Sequence, residues 1–252
     1  HIRLRHSIKS YLEAQVARLR NLTEAQAAIL PSPQDMPDAK FAVAYRPAFE
    51  AGGDFYDVLH TGEGVYDYIV ADVSGHDLGS SLATSALKAL LHQGKSALYT
   101  PMETLRMTNQ VMCSAFPEEL YLTLAYARLN RKKRHLTIIS SGHPDIILMR
   151  KSGVLERISP KGDVLGAFEY IYLDAAELSV ETGDRFFIYS DGLIEYDGER
   201  PVPRQKGIER LTSLIRKNHD MDLEEIVWTV SLLISPEVVH PADDVLLLGV
   251  EV

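Results

Sequence analysis

The chain has 252 residues, with 26 Lys and Arg against 35 Asp and Glu, and a formal net charge of −9. Its 46% hydrophobic and 24% charged residues are the composition of a globular domain with a sizeable core, which excludes disordered and collagen-like classes. The acidic balance argues against a nucleic-acid partner, because neutralising phosphates needs clustered Lys and Arg. No apolar run approaches the roughly 18–20 residues that span a bilayer, and no charged n-region followed by an apolar segment opens the chain. No membrane insertion and a cytoplasmic location are therefore expected. The single Cys113 rules out an intrachain disulfide and a cysteine-based zinc or iron–sulfur site, leaving helix packing as its expected role. The chain starts at His1 rather than Met, as a piece of something longer would.

Residues 1–30 contain no Gly or Pro and read as one helix. Ile8, Leu12, Gln15, Leu19, Leu22, Gln26 and Ile29 recur at alternating spacings of four and three, a period that keeps one seam toward a partner helix. Packing against the chain's own domain would use the same seam. Pro31, Pro33 and Pro37 end this segment, so the expected division is a linker helix at 1–30 and a folded domain at 31–252.

From Phe41 the pattern changes to short apolar runs bounded by turn residues: Phe41 to Ala48, Val65 to Ala71, Tyr121 to Leu129, then about 135–140, 145–150, 154–158, 185–190 and 244–251. These read as antiparallel strands, with Thr61 to Gly64, Asn130 to Lys133, Lys151 to Gly153 and Thr182 to Asp184 as the turns between them. The basic cluster Arg131 to Arg134 falls in one of those turns and is expected to be solvated. Apolar spacings of three and four predict helices at about 78–93, 101–115, 206–217 and 222–234. Strands and helices are grouped, so the expected class is α+β with antiparallel sheets covered by helices.

Four acidic motifs stand at strand ends or tight turns. In Gly52-Gly53-Asp54-Phe55-Tyr56-Asp57 two glycines allow close backbone approach, and Asp54 enters an aromatic strand where an unpaired carboxylate is expensive; capping a turn is the other reading. Asp72 ends the apolar run Ile69-Val70-Ala71 and precedes Val73-Ser74-Gly75-His76, which suits cation binding through side chain and carbonyl together, or a cap on the following helix by Asp72 or Ser74. Asp191 follows the strand Phe186 to Tyr189 and precedes Gly192. Asp243 and Asp244 precede the strand beginning at Val245, where adjacent like charges repel unless something positive holds them or one faces water. Converging carboxylates call for divalent cations. Without Cys or a His pair at ligand spacing, the donor set is oxygen-rich and favours Mg²⁺ or Mn²⁺.

Gly-Gly-Asp-Phe-Tyr-Asp at 52–57, Asp-Val-Ser-Gly-His at 72–76, Ser-Gly-His-Pro at 141–144, Tyr-Ser-Asp-Gly-Leu-Ile-Glu at 189–195 and Asp-Asp at 243–244 together resemble the metal-dependent PPM (protein phosphatase 2C-like) family, in its bacterial RsbU/SpoIIE-type branch. The resemblance runs from about residue 30 to the end. It implies a sandwich of two antiparallel β-sheets flanked by helices, and dephosphorylation of phosphoserine or phosphothreonine with two Mn²⁺ or Mg²⁺ ions. Carried over by position, it implies that Asp72 bridges the two metals, the Val73 carbonyl binds one, Asp191 and Asp243 hold the other, and Asp54 acts largely through metal-bound water. His76 is the catalytic candidate, as a proton donor to the leaving group, with a structural or capping role as its alternative. Asp77 stands where this branch usually has Gly. Asp244 is expected to hydrogen-bond a neighbouring turn and His143 to shape a turn near the core, while Asp57 and Glu195 could support the site. No Arg stands beside the Asp motifs.

The resemblance further implies a phosphorylated STAS-type anti-sigma-factor antagonist as substrate, an upstream sensor domain before His1, and signal transmission through the 1–30 helix, with a homodimer through that helix as a hypothesis. Two rivals are a pseudophosphatase that binds a phosphorylated partner without turnover, and a hydrolase of small phosphoesters such as nucleotides; no phosphate-cradling Gly-rich loop supports the second.

Overall fold

The computed structural model describes residues 28–48, 53–75, 78–93, 99–117, 119–197, 200–236 and 241–252. Nearly all of the predicted 1–30 helix, together with His76 and Asp77, lies outside the described residues.

Strands β1 (Phe41–Arg46), β2 (Asp54–Gly62) and β3 (Val65–Val73) precede helices α1 (Leu78–Gln93) and α2 (Pro101–Ala115). Six strands follow: β4 (Leu122–Asn130), β5 (His135–Ser141), β6 (Ile146–Met149), β7 (Leu155–Ile158), β8 (Ala175–Ser179) and β9 (Arg185–Tyr189). A small hairpin, β10 (Tyr196–Asp197) and β11 (Arg200–Pro201), leads to α3 (Arg204–Lys217), α4 (Leu223–Ile234) and β12 (Val245–Glu251). One sheet has the order β1-β12-β9-β6-β7 and the other β2-β3-β4-β5-β8, and every pairing in both is antiparallel.

The side-chain alternation of the strands builds four layers. Leu246, Leu248 and Val250 of β12 face Tyr68, Val70, Ala127 and Ile138 of the other sheet in the central core, while Val245 and Leu247 turn outward onto Ile208, Leu211, Val227 and Val230 of α3 and α4. On the opposite side, Phe55, Ile69 and Tyr126 pack against Leu87, Leu91 and Leu105 of α1 and α2. Strands covered on both faces lose the polar alternation of half-solvated strands, which is why they read as continuous apolar runs. The α2 start is fixed by a capping box between Thr100 and Glu103 with Pro101 in the first turn.

Arg131 departs from the expected solvated turn. Its guanidinium donates to the Glu251 carbonyl at 2.8 Å and the Ala39 carbonyl at 2.7 Å, so the β4–β5 turn is bolted to the β1–β12 edge of the other sheet. The Ala39 carbonyl also accepts from the Tyr68 hydroxyl at 2.5 Å, and a cation hydrogen-bonded to carbonyls at a sheet end stays partly buried despite its charge.

Candidate active site

The four acidic motifs meet at one end of the sandwich. Asp54 opens β2 and Asp72 lies near the end of β3, and the two are direct cross-strand partners. On the facing sheet, Asp191 follows β9 and Asp243 precedes β12, two neighbouring antiparallel strands. The ends are laced together by Ser190, whose amide donates to the Leu246 carbonyl at 3.1 Å and whose hydroxyl donates to the Asp244 carbonyl at 3.1 Å while accepting from the Leu246 amide at 3.0 Å.

Asp244 joins the two sheets. Its carboxylate accepts from the Ala48 amide at 2.7 Å and the Asp54 amide at 3.1 Å, so it supports a turn and a strand start, as expected.

Two glycines permit this convergence. A Cβ on Gly53 would sit 2.7 Å from the Val73 carbonyl oxygen and 3.4 Å from Asp72 Oδ1, and the Gly53 carbonyl accepts from the Val73 amide at 3.1 Å. A Cβ on Gly192 would overlap the Asp244 carbonyl. Only glycine lets the backbone of each motif press against its neighbour.

The electrostatics are those of like charges gathered together. Burial and then the Asp72 and Asp244 charges push the Asp54 carboxyl well above its usual range, with the Ser190 hydroxyl acting the other way. Asp54 Oδ2 is buried without a hydrogen-bond partner among the described residues. Desolvation first, then Asp191, Asp243 and Asp244, raise Asp72 to about 7, and burial together with Asp191, Asp244 and Glu195 raises Asp243. Among the described residues no three acidic, His or Cys side chains close into a tight ligand group; the carboxylates act on one another through space. An orphaned buried oxygen, mutual repulsion and an oxygen-only donor set fit hard divalent cations.

Other expectations resolve individually. The Ser74 hydroxyl accepts from the Tyr121 amide at 3.1 Å, tying the loop after Asp72 to the start of β4. His143 is buried, with Nδ1 3.2 Å from the Thr123 hydroxyl, and Thr123 is the cross-strand partner of Asp72. Asp57 does not join the acidic cluster: it is buried and paired with Lys88 at 3.2 Å and His92 at 2.9 Å, clamping α1 to β2. Glu195 does approach the site, its amide donating to the Asp191 carbonyl at 2.8 Å and its charge acting on both Asp72 and Asp243.

Sequence reasoning missed Arg204 at the start of α3, which lies 3.9 Å from Glu195. No local signal marks it, because only the α3 packing brings residue 204 back to the Asp191 turn.

A sandwich of two antiparallel sheets with flanking helices and an acidic cluster at one end defines a PPM-type phosphatase fold. The family described as Stage II sporulation protein E (SpoIIE) matches residues 62–252, and the chain belongs to that family. It is similar to the phosphoserine phosphatase RsbU of Bacillus subtilis (strain 168), at 25% identity over 166 residues, 66% of this chain and 49% of that protein. The curated relatives it matches are longer, the chain spanning 38% and 49% of two of them. Among solved structures, the SiaA-PP2C domain of Pseudomonas aeruginosa superposes with a TM-score of 0.79 at 20% identity, covering 96% of this chain and 98% of that one. RsbX in complex with magnesium superposes with a TM-score of 0.65 at 19% identity, covering 84% and 94%. No helix among the described residues is long and apolar enough to cross a membrane.

Proposed function

We propose that this domain is a divalent-metal-dependent protein serine/threonine phosphatase. The observation that carries the reading is the meeting of Asp54, Asp72, Asp191 and Asp243 from four distant motifs, with an unpartnered buried oxygen on Asp54. Asp72 would hold two ions, the Val73 carbonyl one of them, Asp191 and Asp243 the other, and Asp54 would act through ordered water. When bound, two Mg²⁺ or Mn²⁺ ions acidify water and neutralise the phosphoryl oxygens.

The chain's own residues set the geometry. Asp244 fixes the start of β2 so that Asp54 faces Asp72. Ser190 ties the Asp191 turn to the segment before β12 and so keeps Asp243 beside Asp191. Ser74 anchors the loop after Asp72 to β4. His76 is assigned proton delivery to the departing serine or threonine oxygen.

The name of the RsbU relative supports phosphoserine as substrate, and a STAS-type anti-sigma-factor antagonist is the phosphoprotein we assign. In the same reading, residues 1–30 form a helix that links an upstream sensor to a domain at 31–252, pairs with a second copy, and works in the cytoplasm. The test is incubation with a phosphoserine STAS protein, following loss of phosphate by mass spectrometry. Mn²⁺-dependent dephosphorylation that stops with chelator supports the reading; retained phosphate under both Mn²⁺ and Mg²⁺ contradicts it.

A further inference from the structure

A cavity of about 560 Å³ opens between the β5–β6 turn, the segment after β7 and the start of α3. Arg157, Lys161 and Arg204 contribute three cations to its lining against one carboxylate, Asp145, in a chain whose net charge is −9. Arg157 is held by Asp145, its Nε 2.8 Å from Oδ2, and it reaches toward Gln205 Oε1 at 3.5 Å. Lys161 is exposed and its ammonium has no partner among the described residues. Among the described residues the ion pair of Arg204 is a loose one, 3.9 Å from Glu195, and its charge also acts on His143 and Tyr189.

The cavity adjoins the acidic site on two sides. His143 lines it and contacts Thr123, which pairs across the ladder with Asp72. Arg204 reaches Glu195, whose amide is bonded to the Asp191 carbonyl. A ligand seated here would lie next to the reacting phosphate rather than on it. Among the described residues the lining holds no Phe, Tyr or Trp to stack a base, and the volume suits a short peptide segment.

We infer that this cavity is a substrate subsite in which Lys161 and Arg204 engage acidic side chains flanking the phosphoserine of the protein substrate. The inference rests on the phosphatase reading and names a specificity determinant for it. The two cations select substrates by charge while the carboxylate cluster carries the chemistry. Lys161 is exposed, so a peptide carboxylate pairs with it at a small desolvation cost and a modest gain, which sets charge preference more than overall affinity.

The test uses two phosphoserine peptides of equal length, one with Asp and Glu beside the phosphoserine and one with Gln and Ser there. The expected parent behaviour is a preference for the acidic peptide of about tenfold in kcat/KM, expressed in KM. Lys161→Glu and Arg204→Glu are expected to abolish or invert that preference, and Lys161→Arg to keep it. A merely structural role would lower both peptides together and leave the ratio intact, which would overturn the inference. A second arm needs no turnover: anisotropy of fluorescein-labelled unphosphorylated peptides in chelator. Tighter binding of the acidic peptide to the parent, lost in Lys161→Glu, is expected, and equal binding of both peptides would overturn the inference. If the parent releases phosphate from no substrate, the phosphatase reading fails, and the anisotropy arm alone still decides the subsite.

Discussion

The amide of Asp54 donates to Asp244 Oδ2 at 3.1 Å, while the Asp54 carboxylate presents a buried oxygen with no partner. Asp244 thus supports the backbone through both of its oxygens, while the Asp54 carboxylate beside it is left to the other acidic groups. Asp244→Ala removes the acceptor of two amides, Ala48 and Asp54. Chemical denaturation is expected to show a loss of about 1–3 kcal/mol, the cost of leaving buried N–H groups unpaired, together with weaker Mn²⁺ binding.

Charge removal at the site should have the opposite effect on the metal-free fold. Asp72 is raised to about 7 by burial and by the carboxylates around it, so its ionised form opposes folding at neutral pH and above. Asp72→Asn is therefore expected to raise the melting temperature in chelator, and to lose the further rise that Mn²⁺ gives the parent. A lower melting temperature in chelator would show that Asp72 has a stabilising partner instead.

Gly53 tests the close approach of two motifs. In Gly53→Ala the new methyl meets the Val73 carbonyl at 2.7 Å, and overpacking of this kind costs about 1–3 kcal/mol. The displaced carbonyl is expected to weaken Mn²⁺ affinity, read by calorimetric titration, with the rest of the sandwich unchanged by circular dichroism.

His143 sets an acid limit. Burial depresses it from 6.5 to about 3, so between those values the unfolded chain binds a proton that the folded chain does not. Stability from this residue is complete above about 6.5 and is lost as pH falls toward 3. The raised carboxylates of the acidic site act in the opposite direction over this range and are common to both proteins, so the expected result in urea denaturation is that His143→Gln gains stability relative to the parent as pH falls from 7 to 5. Equal slopes would assign the acid sensitivity to other groups.

Much of this architecture was readable from residue patterns. The helices at 78–93 and 101–115 fall where their three-and-four spacing places them, because each has one apolar face against a sheet. The four acidic motifs were legible since each sets Asp at the end of an apolar strand or in a tight turn beside one, where an unpaired carboxylate is costly. Strand β8 was not: Ala175–Ser179 is an edge strand of alternately exposed and half-buried residues, and Ala-Ala-Glu-Leu-Ser lacks the β-branched and aromatic residues that mark strands. Arg131 and Arg204 were also hidden, because their partners are 120 residues away in Glu251 and across the hairpin in Glu195. Asp57 shows the converse limit, since its place in an acidic motif suggested the site while its side chain points to Lys88 and His92.

The most direct test is phosphate release from a phosphoserine peptide by the parent, Asp72→Asn and Asp191→Asn, each with Mn²⁺ and with chelator. Turnover by the parent is expected in Mn²⁺ and not in chelator, with a loss of at least about 100-fold in either variant, in keeping with removal of a principal charge-stabilising element. Turnover that survives chelator, or that persists in both variants, would contradict a metal-dependent site built on these carboxylates.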